Sequence, residues 1–155
     1  MLTVAASVTG LLPLQLVRVE TGSMVPTLGP GALVLVERDP GRVERRDVVV
    51  VRDPQTGEQL VKRVAAVGGD RLRIEDGVLV VDDEPVCEPA IDPDRIDGVF
   101  FRTVTVPAGE LFLLGDDRRD SVDSRDFGTV AETDVVGLVR GRVWPSPGGV
   151  SPELC

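Results

Sequence analysis

The sequence predicts an all-β fold, a compact antiparallel β-sheet domain, and three observations carry that expectation. Short runs of β-branched and aliphatic residues recur along the chain, broken by Gly, Pro and Asp at the spacing usual in all-β domains. No segment carries the apolar period of a long amphipathic helix. The Asp76-Gly77 pair lies between two strand-like runs, and both residue types tolerate the positive φ of a tight hairpin turn. With 155 residues, 42% hydrophobic and 28% charged, the chain is long enough to bury one core and short for two.

Taken in order, residues 1–13 form a hydrophobic N-terminal segment, apolar apart from Thr3, Ser7 and Thr9 and interrupted by Gly10 and Pro13. A membrane helix needs about 20 apolar residues, and the next stretch, Leu14 to Glu20, already alternates like a strand leading to the Thr21-Gly22-Ser23 turn. Three readings stay open: a shortened membrane anchor, a hydrophobic strand resting on the bilayer, or a chain whose start lies upstream. The segment lacks the basic region and small-residue cleavage site of a removable signal peptide. Further strands are expected at Ala32–Val36, Val48–Arg52, Leu60–Val67, Arg71–Glu75, Val78–Val81, Val99–Val106, Glu110–Leu114 and Val135–Val143. Pro145, Pro147 and Pro152 give residues 146–155 the character of an irregular C-terminal tail.

Composition excludes several chemistries. A net charge of −9 without a basic run argues against a nucleic-acid surface, which needs clustered Arg or Lys. The acidic stretch Asp82, Asp83, Glu84 reads as a solvated face. With no histidine, a Ser-His-Asp triad, a Cys-His pair and the usual His-containing zinc sites are all ruled out. Two cysteines cannot build a four-thiolate metal site, and Cys87 and Cys155 are expected to be unpaired. No metal or organic cofactor is expected.

The basic residues are sixteen arginines and one lysine, Lys62. Only lysine can lose its proton under ordinary conditions, because burial lowers its pKa by several units. Without histidine, an activated serine needs another base, and a neutral amine is strong enough to take a hydroxyl proton. Lys62 lies in the strand-like run Leu60–Val67, where alternation sets it on the face opposite Val61 and Arg63. If that face is buried, desolvation lowers its pKa; the alternative is a strand-edge lysine pointing at water.

Four ordered blocks then bear on a family. Thr21-Gly22-Ser23-Met24-Val25-Pro26-Thr27-Leu28 resembles the serine box of signal peptidase I. Arg45-Arg46-Asp47-Val48-Val49-Val50 is similar to the strand that follows it, with Arg46 where glycine is usual. Lys62-Arg63-Val64 through Gly69-Asp70-Arg71, followed by Asp76-Gly77-Val78-Leu79 and Glu84-Pro85-Val86, is similar to the lysine box and its hairpin. The most specific block, Gly115 to Gly128, resembles the signature Gly-Asp-Asn-Arg-x-x-Ser-x-Asp-Ser-Arg-x-x-Gly, with Asp117 in place of the usual Asn.

The resemblance implies a signal-peptidase-type catalytic domain over residues 14–145 and a role for each matching residue. Ser23 is the implied nucleophile and Lys62 its general base. Thr21 and the Ser23 N–H are the implied oxyanion hole, and Ser121 orients the lysine. Asp123 with Arg125, and Arg63 with Asp116, are implied supporting ion pairs. Met24 is expected to line the substrate cleft, with packing as the other reading. The implied activity is a serine endopeptidase that removes signal peptides from exported preproteins after small residues such as Ala-x-Ala. The preprotein would bind as an extended strand, and the catalytic domain would sit on the outer face of the cytoplasmic membrane. Only about 25 residues separate the hairpin from the last block, too few for the large extra β domain of some family members. Two rival readings are a soluble maturation protease acting on one precursor and a non-catalytic β-rich peptide-binding domain.

Overall fold

The computed structural model describes residues 13–145. Eleven strands form the framework: β1 (Leu14–Arg18), β2 (Leu33–Arg38), β3 (Val48–Arg52), β4 (Gln59–Val67), β5 (Arg71–Glu75), β6 (Val78–Val81), β7 (Glu84–Pro85), β8 (Phe101–Thr105), β9 (Glu110–Leu114), β10 (Val130–Ala131) and β11 (Val135–Trp144). One short helix, α1 (Ser124–Phe127), and two 3-10 turns, Pro93–Arg95 and Glu132–Asp134, complete the described elements. The all-β antiparallel expectation holds, and each expected strand is present, four of them with the expected ends and the others within two residues of theirs.

The strands form a seven-stranded sheet ordered β1-β2-β11-β3-β4-β9-β10 and a four-stranded sheet ordered β7-β6-β5-β8, with every pairing antiparallel. The larger sheet is apolar on both faces, which is why β3 reads Val-Val-Val-Val rather than alternating. Val50 packs with Val17, Met24, Val34, Val36 and Val61 on one side. Val49 and Val51 pack with Val64, Leu111, Leu113 and Leu138 on the other. A third cluster joins the sheets, with Ala66, Phe112 and Leu114 against Leu72, Ile74, Leu79 and Val81.

The β5–β6 hairpin turns where expected, with Asp76 at φ 51° and Gly77 at φ 79°, the left-handed pair that a two-residue hairpin turn requires. A second turn of the same kind, Asp82 at φ 53° and Asp83 at φ 66°, folds β7 back onto β6. In the sequence these aspartates read as a solvated face. They are exposed, and they also use the tolerance of aspartate for positive φ.

Arg46, standing where glycine is usual in the family resembled, has φ 77°. It and Asp47 together oppose Val64: Arg46 N–H donates to Val64 O at 2.8 Å and Val64 N–H to Asp47 O at 2.8 Å. Two residues against one, the first left-handed, make a bulge for which glycine is the natural occupant. Arg46 Nη2 donates to Cys87 O at 2.6 Å, which anchors the strained residue.

Cys87 is disulfide-bonded, which corrects the expectation of an unpaired thiol; distance along the chain, on which that expectation leaned, does not limit approach in space. The other cysteine, Cys155, lies outside the described residues, as do residues 1–12 and the remainder of the 146–155 tail.

Candidate active site

Ser23 lies in the turn after β1, and the turn is fixed from both sides. Val25 N–H donates to Gly22 O at 2.9 Å and Leu28 N–H to Met24 O at 2.8 Å. Met24 is 1% exposed and packs with Val17, Val19, Leu28 and Val61. It therefore supports the serine from beneath and offers almost no surface to solvent. The Ser23 carbonyl accepts from Asp117 N–H at 3.0 Å, tying the turn to the segment after β9. Among the described residues the Ser23 N–H takes no backbone partner. The Thr21 hydroxyl stands 3.5 Å from Ser23 Oγ.

Lys62 is carried by β4, and its side of the strand is the buried one, since it is 3% exposed. Its Nζ donates to Ser23 Oγ at 2.9 Å and to Ser121 Oγ at 3.1 Å. Burial lowers the pKa of the amine from its ordinary 10.5, and the Arg125 guanidinium acts in the same direction; the carboxylates of Asp123, Asp116 and Asp126 oppose it without reversing it. Three residues 39 and 59 positions apart thus meet around one amine.

The charged residues expected to support the site do form pairs. Arg63 grips Asp116 with both arms of its fork, Nε to Oδ1 at 2.7 Å and Nη2 to Oδ2 at 2.6 Å, a bidentate geometry that holds both partners in one plane. The Asp116 side chain is fully buried. Thr27, to which sequence reading gave no role, donates to Asp116 Oδ2 at 2.5 Å. Arg125 holds Asp123 in the same two-armed way at 2.9 Å and 2.9 Å. Asp123 also accepts from Gly115 N–H at 3.0 Å and caps α1 through a reciprocal capping box with Asp126. Burial alone would raise the Asp123 carboxyl pKa; the Arg125 and backbone donors outweigh it and hold the pKa below the ordinary value.

Gly115 is required where it stands. A Cβ there would lie 2.1 Å from Ser121 Oγ and 2.7 Å from Ser23 O, so only a residue without a side chain lets the two serine-bearing segments approach.

The lysine strand also has an open side. Residues 59–62 pair with β3 on one edge, whereas β9 joins the other edge only from Arg63 onward. Among the described strands nothing pairs with the 59–62 stretch on that edge, and β1, which leads to Ser23, is the terminal strand of the same sheet. The cluster brings together a hydroxyl, a desolvated amine and a strand edge unpaired among the described strands, the groups that serine hydrolysis without histidine requires.

Comparison with known proteins agrees. The family model described as "Signal peptidase, peptidase S26" matches residues 1–144. Signal peptidase I of Bacillus caldolyticus is 39% identical over 142 residues, covering 82% of this chain and 78% of its own. Signal peptidase I of Streptococcus pneumoniae serotype 4 is 32% identical over 167 residues, covering 83% and 81%. The crystal structure of a signal peptidase I from Enterococcus faecalis V583 superposes with a TM-score of 0.57 at 27% identity, over 64% of this chain and 97% of that one. The chain belongs to the signal peptidase family of serine endopeptidases.

Sequence reading missed Thr27, Glu88, Arg95 and Asp97. Thr27 lay inside a quoted motif without a partner to suggest its role. The other three sit in the connection between β7 and β8, where no periodicity or motif marks a residue.

Proposed function

We propose that the chain removes signal peptides from exported preproteins by a Ser23/Lys62 dyad, cutting after small residues in an Ala-x-Ala pattern. The observation that carries this reading is the 2.9 Å contact between Ser23 Oγ and a Lys62 amine that is 3% exposed and lowered in pKa by burial. With Lys62 neutral, the Ser23 hydroxyl donates its proton to the amine lone pair while Oγ attacks the scissile carbonyl. The developing oxyanion is met by the Ser23 N–H and the Thr21 hydroxyl. Lys62 then gives its proton to the departing amine, leaving an acyl-Ser23. A water that Lys62 deprotonates hydrolyses this ester, and the proton returns to Ser23. Ser121 accepts from Nζ and keeps the amine aimed at Ser23 through both halves of the cycle. Arg63–Asp116 and Asp123–Arg125 hold the lysine strand and the Ser121 segment without touching the scissile bond.

The preprotein binds as an added strand on the free edge of residues 59–62, where main-chain pairing gives affinity. The catalytic domain, residues 14–145, works on the outer face of the cytoplasmic membrane, with the apolar segment 1–13 toward the bilayer. The Cys87 disulfide supports that location, because such bonds persist in oxidising compartments. Among the described residues no helix is long and apolar enough to cross a membrane.

The test is cleavage of a fluorogenic preprotein peptide with Ala-x-Ala before the cut, in detergent, by the parent, Ser23→Ala and Lys62→Arg. The parent cuts after the second alanine and both variants are inactive. A folded parent that cuts no such peptide overturns the reading in favour of a protease dedicated to one precursor or a domain that only binds.

A further inference from the structure

The connection between β7 and β8, residues 86–100, is a loop with one 3-10 turn, Pro93–Arg95, and its charges are not scattered. Arg118 is 3% exposed and is gripped by Glu88, Nη2 to Oε1 at 2.6 Å and Nη1 to Oε2 at 3.0 Å, while its Nε donates to Gly115 O at 3.0 Å. Arg95 pairs with Asp117 through a short contact. Arg119 donates to Asp94 O at 3.1 Å, and Arg125 donates to Asp97 at 2.9 Å. All four contacts run from residues 88–97 to residues 118–125 and 117, the segment that carries Ser121.

Arg95 stands out because its partner touches the nucleophile's own residue. Asp117 N–H donates to Ser23 O, and the Asp117 side chain is 9% exposed. Asp117 occupies a position where the family signature resembled has Asn. A neutral amide can be buried there without a counter-charge, but a carboxylate cannot be held at that depth without a cation beside it. The 3-10 turn Pro93–Arg95 aims Arg95, capped by Asp92 through Asp94 N–H at 3.0 Å.

We propose that Arg95 is a positioning residue for the reaction, matched to Asp117, and that the 88–97 connection acts as an electrostatic strap setting where the 115–125 segment stands against Ser23 and Lys62. The proposal rests on the dyad reading above. Loss of the Arg95 charge leaves a buried carboxylate seeking water, and the Asp117 amide moves with it. A shift of about 1 Å at reacting groups costs up to about a hundredfold in rate. Because substrate pairs with β4 and not with the strap, the loss falls on kcat and not on KM.

The experiment measures kcat and KM of the full chain on the Ala-x-Ala peptide for the parent, Ser23→Ala, Arg95→Gln and the double variant Arg95→Gln/Asp117→Asn, with thermal midpoints for each. Arg95→Gln lowers kcat by about tenfold or more with KM within about twofold, and the double variant recovers to within about threefold of the parent. Arg95→Gln at parental kcat, or a double variant as slow as the single, overturns the strap. Should Arg95→Gln not fold, the double variant decides: folded and active supports the matched pair, and unfolded or slow contradicts it. Parental activity in Ser23→Ala is a different failure, that of the dyad itself.

Discussion

Replacing Gly115 by alanine adds one methyl group at the point where the two serine-bearing segments meet. The new Cβ would stand 2.1 Å from Ser121 Oγ, 2.5 Å from Ser121 Cβ and 2.7 Å from Ser23 O, whereas contact becomes ordinary only at 3.4 Å. Ser121 must therefore retreat by about 1.3 Å, the difference between 3.4 and 2.1 Å. The Lys62–Ser121 bond, now 3.1 Å, does not survive a displacement of that size in the wrong direction, since hydrogen bonds weaken quickly beyond about 3.2 Å. Misplacement of this order costs about a hundredfold in rate, equivalent to about 2.7 kcal/mol of barrier. Overpacking costs about 1–3 kcal/mol of stability, so the domain stays folded and the two effects separate. Steady-state kinetics on the Ala-x-Ala peptide, with thermal melting of the same samples, reads both. A Gly115→Ala enzyme that melts near the parent and turns over within about twofold of it would refute the claim that Ser121 must stand where it does.

Other consequences follow from the same contacts. Arg63→Ala strands the fully buried Asp116 carboxylate; breaking such a pair costs about 3–5 kcal/mol, which at about 2–4 °C per kcal/mol lowers Tm by roughly 10 °C in differential scanning calorimetry. Arg46→Gly and Arg46→Ala both lose the bond to Cys87 O, but only glycine relieves the φ of 77°. The glycine variant is therefore more stable than the alanine variant by about 1 kcal/mol in urea titrations, and equal midpoints would contradict the bulge strain. Lys62→Met removes a group whose folded pKa lies below its unfolded 10.5. Between those two values the unfolded chain binds more protons, so parental stability rises with pH, is complete above 10.5 and is lost as pH falls through the lowered pKa. The methionine variant lacks that rise, and with no histidine or tyrosine in the chain few other side chains blur the comparison.

How far the chain could be read in advance depended on the range of the interactions involved. The long strands were legible because β-branched runs such as Val48–Arg52 and Gln59–Val67 form them from local preference and burial on one or both faces. The two-residue strands β7 and β10 were not, because pairs of residues carry no period and are held by their neighbours: β7 by the Asp82-Asp83 turn, β10 by its register with Glu110 and Leu111. The serine, the lysine and Ser121 lay in separate motifs, and the fold brings their polar atoms within hydrogen-bond distance. Two departures from the family pattern gained meaning only in three dimensions. Arg46 occupies a left-handed bulge and is anchored by Cys87 O, and Asp117 faces Arg95 from a loop whose sequence signals nothing. Met24 belongs to the core as much as to the site, a distinction that alternation cannot make in a turn. The disulfide state of Cys87 could not be read from spacing.

The central claim is that Lys62 is the base because burial makes its amine give up its proton more readily than an ordinary lysine. Lys62 is the one lysine in the sequence, so labelling the protein with 13C,15N-lysine yields a single side-chain Cε resonance whose chemical shift can be followed with pH by NMR. The account predicts a midpoint below 10.5 in the folded protein, returning to about 10.5 when the chain is unfolded in urea. A folded-state midpoint at or above 10.5 would contradict it, because the amine would then be charged wherever the enzyme works.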